Sequence, residues 1–176
     1  MNEYYIDTAN IKSIVRKLKA GDKVYLSGQV YTARDAAHKR IFELIDRGED
    51  LPFKIENSVI YYAGPTPAPE GMPIGSAGPT TSARMDVYTP TLLKMGLTAT
   101  IGKGERSEEV IKSIAQNGSV YFCALGGAGA LACQHIKECE VIAFDDLGCE
   151  SVKRLMFDKF PLIVGIDSYG ESVFCK

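Results

Sequence analysis

The sequence predicts an α/β fold on three observations. Short runs rich in β-branched and aromatic residues recur along the chain, windows of helical periodicity separate them, and 45% of the 176 residues are hydrophobic. That is enough apolar material for one compact domain with its own core. The alternation is most regular in the C-terminal half, which implies a parallel-type layer there, while the N-terminal half reads as richer in strand and loop. A single domain over residues 1–176 is expected, with residues 1–20 as a polar leader.

Residues 23–30, with Val24, Tyr25, Leu26 and Val30, read as the first strand. A helix follows, because Ala37, Ile41, Leu44 and Ile45 share one helical face and Gly48 supplies a stop. Residues 58–62 form a second strand candidate. Residues 64–79 hold five of the eight prolines and four glycines, which predicts a long loop of the kind that often carries function. Thr80, Thr81 and Ser82 offer caps for a helix with Met85, Leu92 and Met95 on its apolar face, divided or kinked by Pro90. Residues 98–101 are a short strand. Ser107 caps the next helix, with Glu108 and Glu109 in its first turn and Gly118 at its end. A strand at 120–122, a glycine-rich turn at 126–129, a small-residue helix to about Lys137, a strand at 141–144, a last helix and a strand at 162–166 complete the chain.

Composition narrows the function. Lys plus Arg number 20 against 22 Asp plus Glu, so no broad field favours nucleic acid or an anionic membrane surface. No stretch has the length and apolarity of a membrane span, and a cytoplasmic protein is expected. The five cysteines are an odd number with no closely spaced pair. They fit neither a disulfide framework nor a structural zinc site, and are expected to be reduced and mostly buried; no metal ligand set is assigned to this chain. The 126–129 turn lacks the remaining residues of a P-loop or dinucleotide fingerprint and is read as close helix–strand packing.

Three segments place a cation or hydroxyl beside a glycine or at an expected helix start: residues 31–40 with Arg34, residues 78–86 with Thr80, Thr81 and Arg84, and residues 101–104 with Lys103. Helix starts offer free N–H groups to an anion, and a guanidinium adds a two-pronged fork for a carboxylate. Two arginines and a lysine suit a dianionic substrate. Taken singly, each segment reads more readily as surface or capping arginines and as threonines that only cap a helix. His38 is read as a structural hydrogen-bonding residue.

Ser27-Gly28, Arg34-Asp35-Ala36-Ala37-His38-Lys39-Arg40, Ala63-Gly64-Pro65, Gly78-Pro79-Thr80-Thr81-Ser82 with Arg84-Met85, and Ile101-Gly102-Lys103-Gly104 stand in an order and spacing that resembles the β subunit of class I fumarases and L(+)-tartrate dehydratases. The resemblance continues through Gly126-Gly127, Leu131, His135-Ile136-Lys137, Val141, Asp146-Leu147-Gly148 and Glu150, so it covers nearly everything after about residue 20. It implies a swivelling β/β/α domain that closes over a [4Fe-4S] cluster carried by a separate α subunit, in a hetero-oligomer acting on a C4-dicarboxylate. It also implies that Arg34 and Arg84 grip substrate carboxylates, that Thr80 is the catalytic base, and that Thr81 and Lys103 lie at the substrate. A threonine hydroxyl is a poor base unless its alkoxide is stabilised, so a second role stays open for Thr80, as a hydrogen-bond donor to substrate and a helix cap. Glu105-Arg106, where many relatives carry a small or apolar residue, receives no role. The Arg34-to-His38 string favours fumarate over tartrate, and a non-catalytic carboxylate-binding module is the alternative from another functional class.

Overall fold

A computed structural model describes residues 1–124 and 129–174. Helices and strands are mixed, as an α/β fold requires, and the sheet closes on itself. Its strands are β1 (Glu3–Asp7), β2 (Lys23–Thr32), β3 (Val59–Tyr61), β4 (Ala99–Gly102), β5 (Val120–Cys123), β6 (Ile136–Ala143) and β7 (Val152–Ile166). They run in the order β1-β2-β3-β4-β5-β7-β6, and an additional β2–β7 pairing closes β2, β3, β4, β5 and β7 into a small barrel. The long strands β2 and β7 make closure possible. One edge of β2 pairs first with β1 and then with β3, one edge of β7 pairs first with β6 and then with β5, and their remaining edges pair with each other.

Pairing is parallel from β1 through β5 and antiparallel wherever β7 takes part. The parallel layer therefore lies earlier in the chain than the sequence suggests. Two expected helices give way to strand. The small-residue helix comprises α5 (Gly129–Ala132) and a 3-10 turn (Cys133–His135), with β6 beginning at Ile136, and the expected last helix shrinks to a 3-10 segment (Asp145–Glu150) before β7. Lys153 and Arg154 obscure the strand period at the sequence level; in the fold Lys153 is buried and Arg154 exposed. The expected polar leader is structured too: residues 3–7 form β1 on the barrel flank, the short α1 (Ile11–Ile14) follows, and Ile11, Val15 and Leu18 enter the core.

The N-terminal region needs Gly28. It adopts φ +101° at a shift in the β2–β7 register, and a Cβ there would lie 2.3 Å from Thr8 Oγ1. Only glycine meets both demands.

Two apolar clusters use the two faces of the sheet. The barrel interior holds Val24, Leu26, Val59, Tyr61, Ile101, Phe122, Phe157 and Phe160. Each fully buried aromatic of this kind contributes about 1.5–3 kcal/mol relative to an exposed one. Outside the barrel, α2 (Asp35–Arg47), α3 (Thr89–Lys94) and α4 (Glu108–Asn117) cover Ile60, Tyr62 and Tyr121. The expected caps of α2 and α4 are present. Gly48 and Gly118 are left-handed at φ 67° and 61°, and Ser107 Oγ accepts from Val110 N. The helix expected from about residue 80 is divided, into a 3-10 turn (Ser82–Met85) and α3, with Pro90 in the first turn of α3 where its missing N–H costs nothing.

Loop 64–79 is tied to the barrel. Tyr61 Oη donates to the Ala77 carbonyl, Ala63 bridges Pro79, and Thr66 and Ser76 close the loop base with bonds of 3.0 and 2.8 Å. Positions 126–128 of the glycine-rich turn lie outside the described residues. Gly129 is a close-packing position, since a Cβ there would meet Ser76 Oγ at 2.4 Å. Cys123, Cys133 and Cys139 are free and half-buried, whereas Cys149 is exposed, against the expectation of mostly buried thiols. Among the described residues no helix is long and apolar enough to cross a membrane.

Candidate active site

The start of α2 and the segment after loop 64–79 meet at one surface. Arg34, the residue before α2, has extended backbone (φ −132°, ψ −151°) that turns its side chain across the helix start. Its Nη1 donates to Thr80 Oγ1 at 3.3 Å, Nε lies 3.2 Å from Glu150 Oε1, and Nη2 lies 3.9 Å from Cys149 Sγ. The Nε–H is not aimed at Glu150, so that contact is an ion pair rather than a directed hydrogen bond. Gly64 forms the floor: a Cβ there would stand 2.8 Å from Arg34 Cζ and Nε. Gly64→Ala is expected to fold, because a flexible guanidinium can yield, and to move Arg34 off Thr80; a crystal structure of the variant reads that distance directly.

Arg84 comes to the same place from the 3-10 turn. Its Nη2 lies 2.8 Å from Asp35 Oδ2, again without hydrogen-bond alignment, and 57% of its side chain is exposed. Arg34, Thr80 and Arg84 thus converge through Asp35 and the start of α2. The Arg84–Asp35 pair is the more exposed of the two and holds weakly, so the Arg84 guanidinium is free to turn.

Thr81 and Lys103 join through the backbone. Thr81 pairs with Lys103 in a parallel bridge, Ser82 N donates to Lys103 O at 3.0 Å, and Lys103 N donates to Ser82 Oγ at 3.0 Å. Both residues are exposed. Tyr121 Oη is within 2.9 Å of both Ser82 Oγ and Gly104 O, so the buried phenol anchors the two loops to each other. Burial raises the Tyr121 pKa well above its ordinary value, which keeps the hydroxyl protonated.

Arg106, unassigned at the sequence level, is the buried keystone of this region. Its side chain is fully covered; Nε donates to Asp86 Oδ1 at 2.6 Å, Nη2 to Thr89 Oγ1 at 2.7 Å and Nη1 to Thr100 Oγ1 at 3.3 Å. The guanidinium lies 5.3 and 4.9 Å from the ring centroids of Tyr62 and Tyr121. Burial opposes its charge, but Tyr62 and Asp86 more than offset that and raise its pKa. Asp86 also accepts from Ser107 N at 2.6 Å, so one carboxylate links the 3-10 turn bearing Arg84 to the start of α4. A lone arginine after a Gly-Lys-Gly string gives no hint in sequence that it is buried.

His38 has the structural role expected. It is fully buried, Nδ1 bonds the Arg34 carbonyl at 2.9 Å, and the ring stacks on Tyr88 at 5.3 Å. Desolvation lowers its pKa to about 4, only partly countered by that backbone bond. The unfolded chain, with an ordinary histidine pKa near 6.5, binds the proton more tightly. Stability is therefore full above about pH 6.5 and falls by about 1.4 kcal/mol per pH unit as pH drops towards 4. Urea denaturation at stepped pH should show this slope in the wild type and a shallower one in His38→Phe.

Lys153 is also drawn inward. Its Nζ lies 2.7–3.4 Å from Ser151 Oγ and from the carbonyls of Gly148, Cys149 and Ser151, and burial lowers its pKa. It holds together the turn that presents Cys149 and Glu150 to Arg34. Among the described residues no three His, Cys, Asp or Glu side chains converge as a metal-ligand group.

The sequence that builds this site is similar to those of known proteins. Residues 2–176 match the family described as the fumarase C-terminus. A chain of Methanocaldococcus jannaschii provisionally named L(+)-tartrate dehydratase subunit beta is 42% identical over 169 residues, covering 93% of this chain and 87% of that one. Fumarate hydratase 2 of Leishmania major is 38% identical over 94% of this chain, and the anaerobic class I fumarate hydratase of Escherichia coli is 39% identical over 86%. This chain spans only 30% and 28% of those two longer proteins. With the match running almost end to end, the chain belongs to the fumarase C-terminus family.

Proposed function

We propose that this chain is the β subunit of an iron-sulfur hydro-lyase that reversibly hydrates fumarate to L-malate, working with a separate α subunit in a hetero-oligomer. The convergence of Arg34, Thr80 and Arg84 around the start of α2 carries this reading. A second reading, L(+)-tartrate dehydration, is favoured by the name of the Methanocaldococcus jannaschii relative. The two substrates differ by one hydroxyl, and the groups that read it can lie on the α subunit.

The chemistry suits the residues. Loss of a proton from the carbon beside a carboxylate turns that carboxylate into a dianionic, enolate-like group, one negative charge more than the bound dicarboxylate carries, and fixed guanidinium groups stabilise the charge as it develops. Arg34 and Arg84 hold the two carboxylates. Thr80 Oγ1 takes the proton in this reading, its alkoxide stabilised by the Arg34 Nη1 donor at 3.3 Å. A [4Fe-4S] cluster held by the α subunit would supply a Lewis-acidic iron to the leaving hydroxyl.

The test is anoxic purification of this chain alone and of the chain co-expressed with its α subunit, each treated with iron and sulfide and assayed with malate and tartrate. Activity is expected only in the complex. A lone chain that takes up a stoichiometric cluster and turns over substrate would overturn the proposal.

A further inference from the structure

Arg34 is held on several sides by contacts of unequal kind. Gly64 fixes its floor, Thr80 accepts from Nη1, and the only carboxylate beside its Nε among the described residues is that of Glu150, which no role in the proposed reaction uses. Glu150 is itself anchored. Its Oε1 accepts from Ala36 N at 3.2 Å, in the first turn of α2, and it follows a turn that Lys153 gathers through its carbonyls. Ser151 adds two more bonds to Gly148 O, through N at 3.1 Å and Oγ at 2.7 Å. The Glu150 side chain is 26% exposed and that of Arg34 28%. The pair is thus shielded enough for its charge to matter, yet not sealed from ligand.

We infer that Glu150 is the positioning residue for Arg34: its carboxylate, held at the α2 start, draws Nε inward and turns the Nη edge towards Thr80 and the incoming substrate carboxylate. This rests on the reading of the site as a dicarboxylate hydro-lyase. The same carboxylate fills the free N–H position at Ala36 that an anion would otherwise take. A substrate carboxylate is left with the guanidinium edge, and so with one orientation relative to Thr80.

A negative charge beside an anion site has two opposite consequences, and they give the test its sign. If Glu150 were only a counter-charge, removing it would tighten dianion binding and lower KM. If it positions Arg34, removing the charge misplaces the guanidinium, and misplacement on the scale of 1 Å costs up to about 100-fold. Glu150→Gln separates the two, since the amide oxygen still accepts from Ala36 N and the helix keeps its cap while the ion pair is lost. In the α/β complex, Glu150→Gln is expected to keep the wild-type melting temperature, raise KM and lower kcat/KM by about 10- to 100-fold. A crystal structure of that complex should show Arg34 Nη1 beyond hydrogen-bond distance of Thr80 Oγ1. Lys153→Met, which loosens the turn and leaves Glu150 intact, should move kcat/KM in the same direction by less. An unchanged or lowered KM in Glu150→Gln, or Arg34 still bonded to Thr80, overturns the inference. A wild-type complex inactive on dicarboxylates would instead overturn the hydro-lyase reading, and the position of Arg34 in the variant crystals would still decide the role of Glu150.

Discussion

Thr80→Ala in the assembled complex is expected to lower kcat by about 10²- to 10⁴-fold with a small change in KM, the usual effect of removing a positioned proton-transfer group. Thr80 is 9% exposed and its N donates to the Tyr62 carbonyl, so the backbone should stay in place when the hydroxyl goes. Thr80→Ser retains the oxygen against Arg34 and should recover part of the rate. Arg84→Ala should fail differently. In the proposed reaction it would delete a contact made to ground and transition states alike, so KM is expected to rise strongly and kcat to fall less. Steady-state kinetics on the three variants separates the roles: kcat within a few-fold of wild type in Thr80→Ala, with KM climbing, would make Thr80 a binding or capping residue.

Arg106→Met should be the most destabilising single change near the site. Breaking a buried ion pair by removing one partner costs about 3–5 kcal/mol, because the carboxylate left behind keeps its desolvation penalty. Only 12% of the Asp86 side chain reaches solvent, and it also holds Ser107 N. For a chain of this size the loss corresponds to a fall in melting temperature of roughly 6–20 °C. Adding Asp86→Leu should restore part of it, since the unpaired charge goes too, while the Ser107 bond stays lost. Calorimetry on both variants measures this; a fall of a degree or two in Arg106→Met would mean the pair is solvated in solution.

What the sequence disclosed follows from range. The α2 and α4 boundaries were legible because their signals are local: Gly48, Ser107 and Gly118 each act within a turn of where they stand. The division of the helix after Thr81 was legible from Pro90 for the same reason. Of β7 only the end, residues 162–166, was legible as strand; its first part was not. Its alternation breaks at Lys153, whose charge is satisfied by carbonyls of the preceding turn, and a lysine so caged reads as surface. The parallel layer was placed too late in the chain because strand pairing is non-local; β1 and β7 take their places through partners far away in sequence.

At the site, Arg34, Thr80, Thr81, Arg84 and Lys103 were all picked out by their place beside glycines and expected helix starts, and the fold puts the first, second and fourth in one cluster. Their functional roles come from the family likeness rather than from the geometry. The supporting residues were hidden. Asp35 pairs with Arg84 across 49 positions and Glu150 with Arg34 across 116, contacts that no local pattern encodes. Arg106 was passed over because only the fold reveals that Tyr62, Thr89, Thr100 and Asp86 surround it.

In the proposed reaction Arg34 and Arg84 form the dicarboxylate grip of a hydro-lyase site, and a crystal structure of the α/β complex with L-malate tests this most directly. One carboxylate should lie within hydrogen-bond distance of the Arg34 Nη edge and the other of Arg84, with Thr80 Oγ1 facing the carbon that loses its proton. Malate bound with both carboxylates away from these two guanidinium groups would contradict the account.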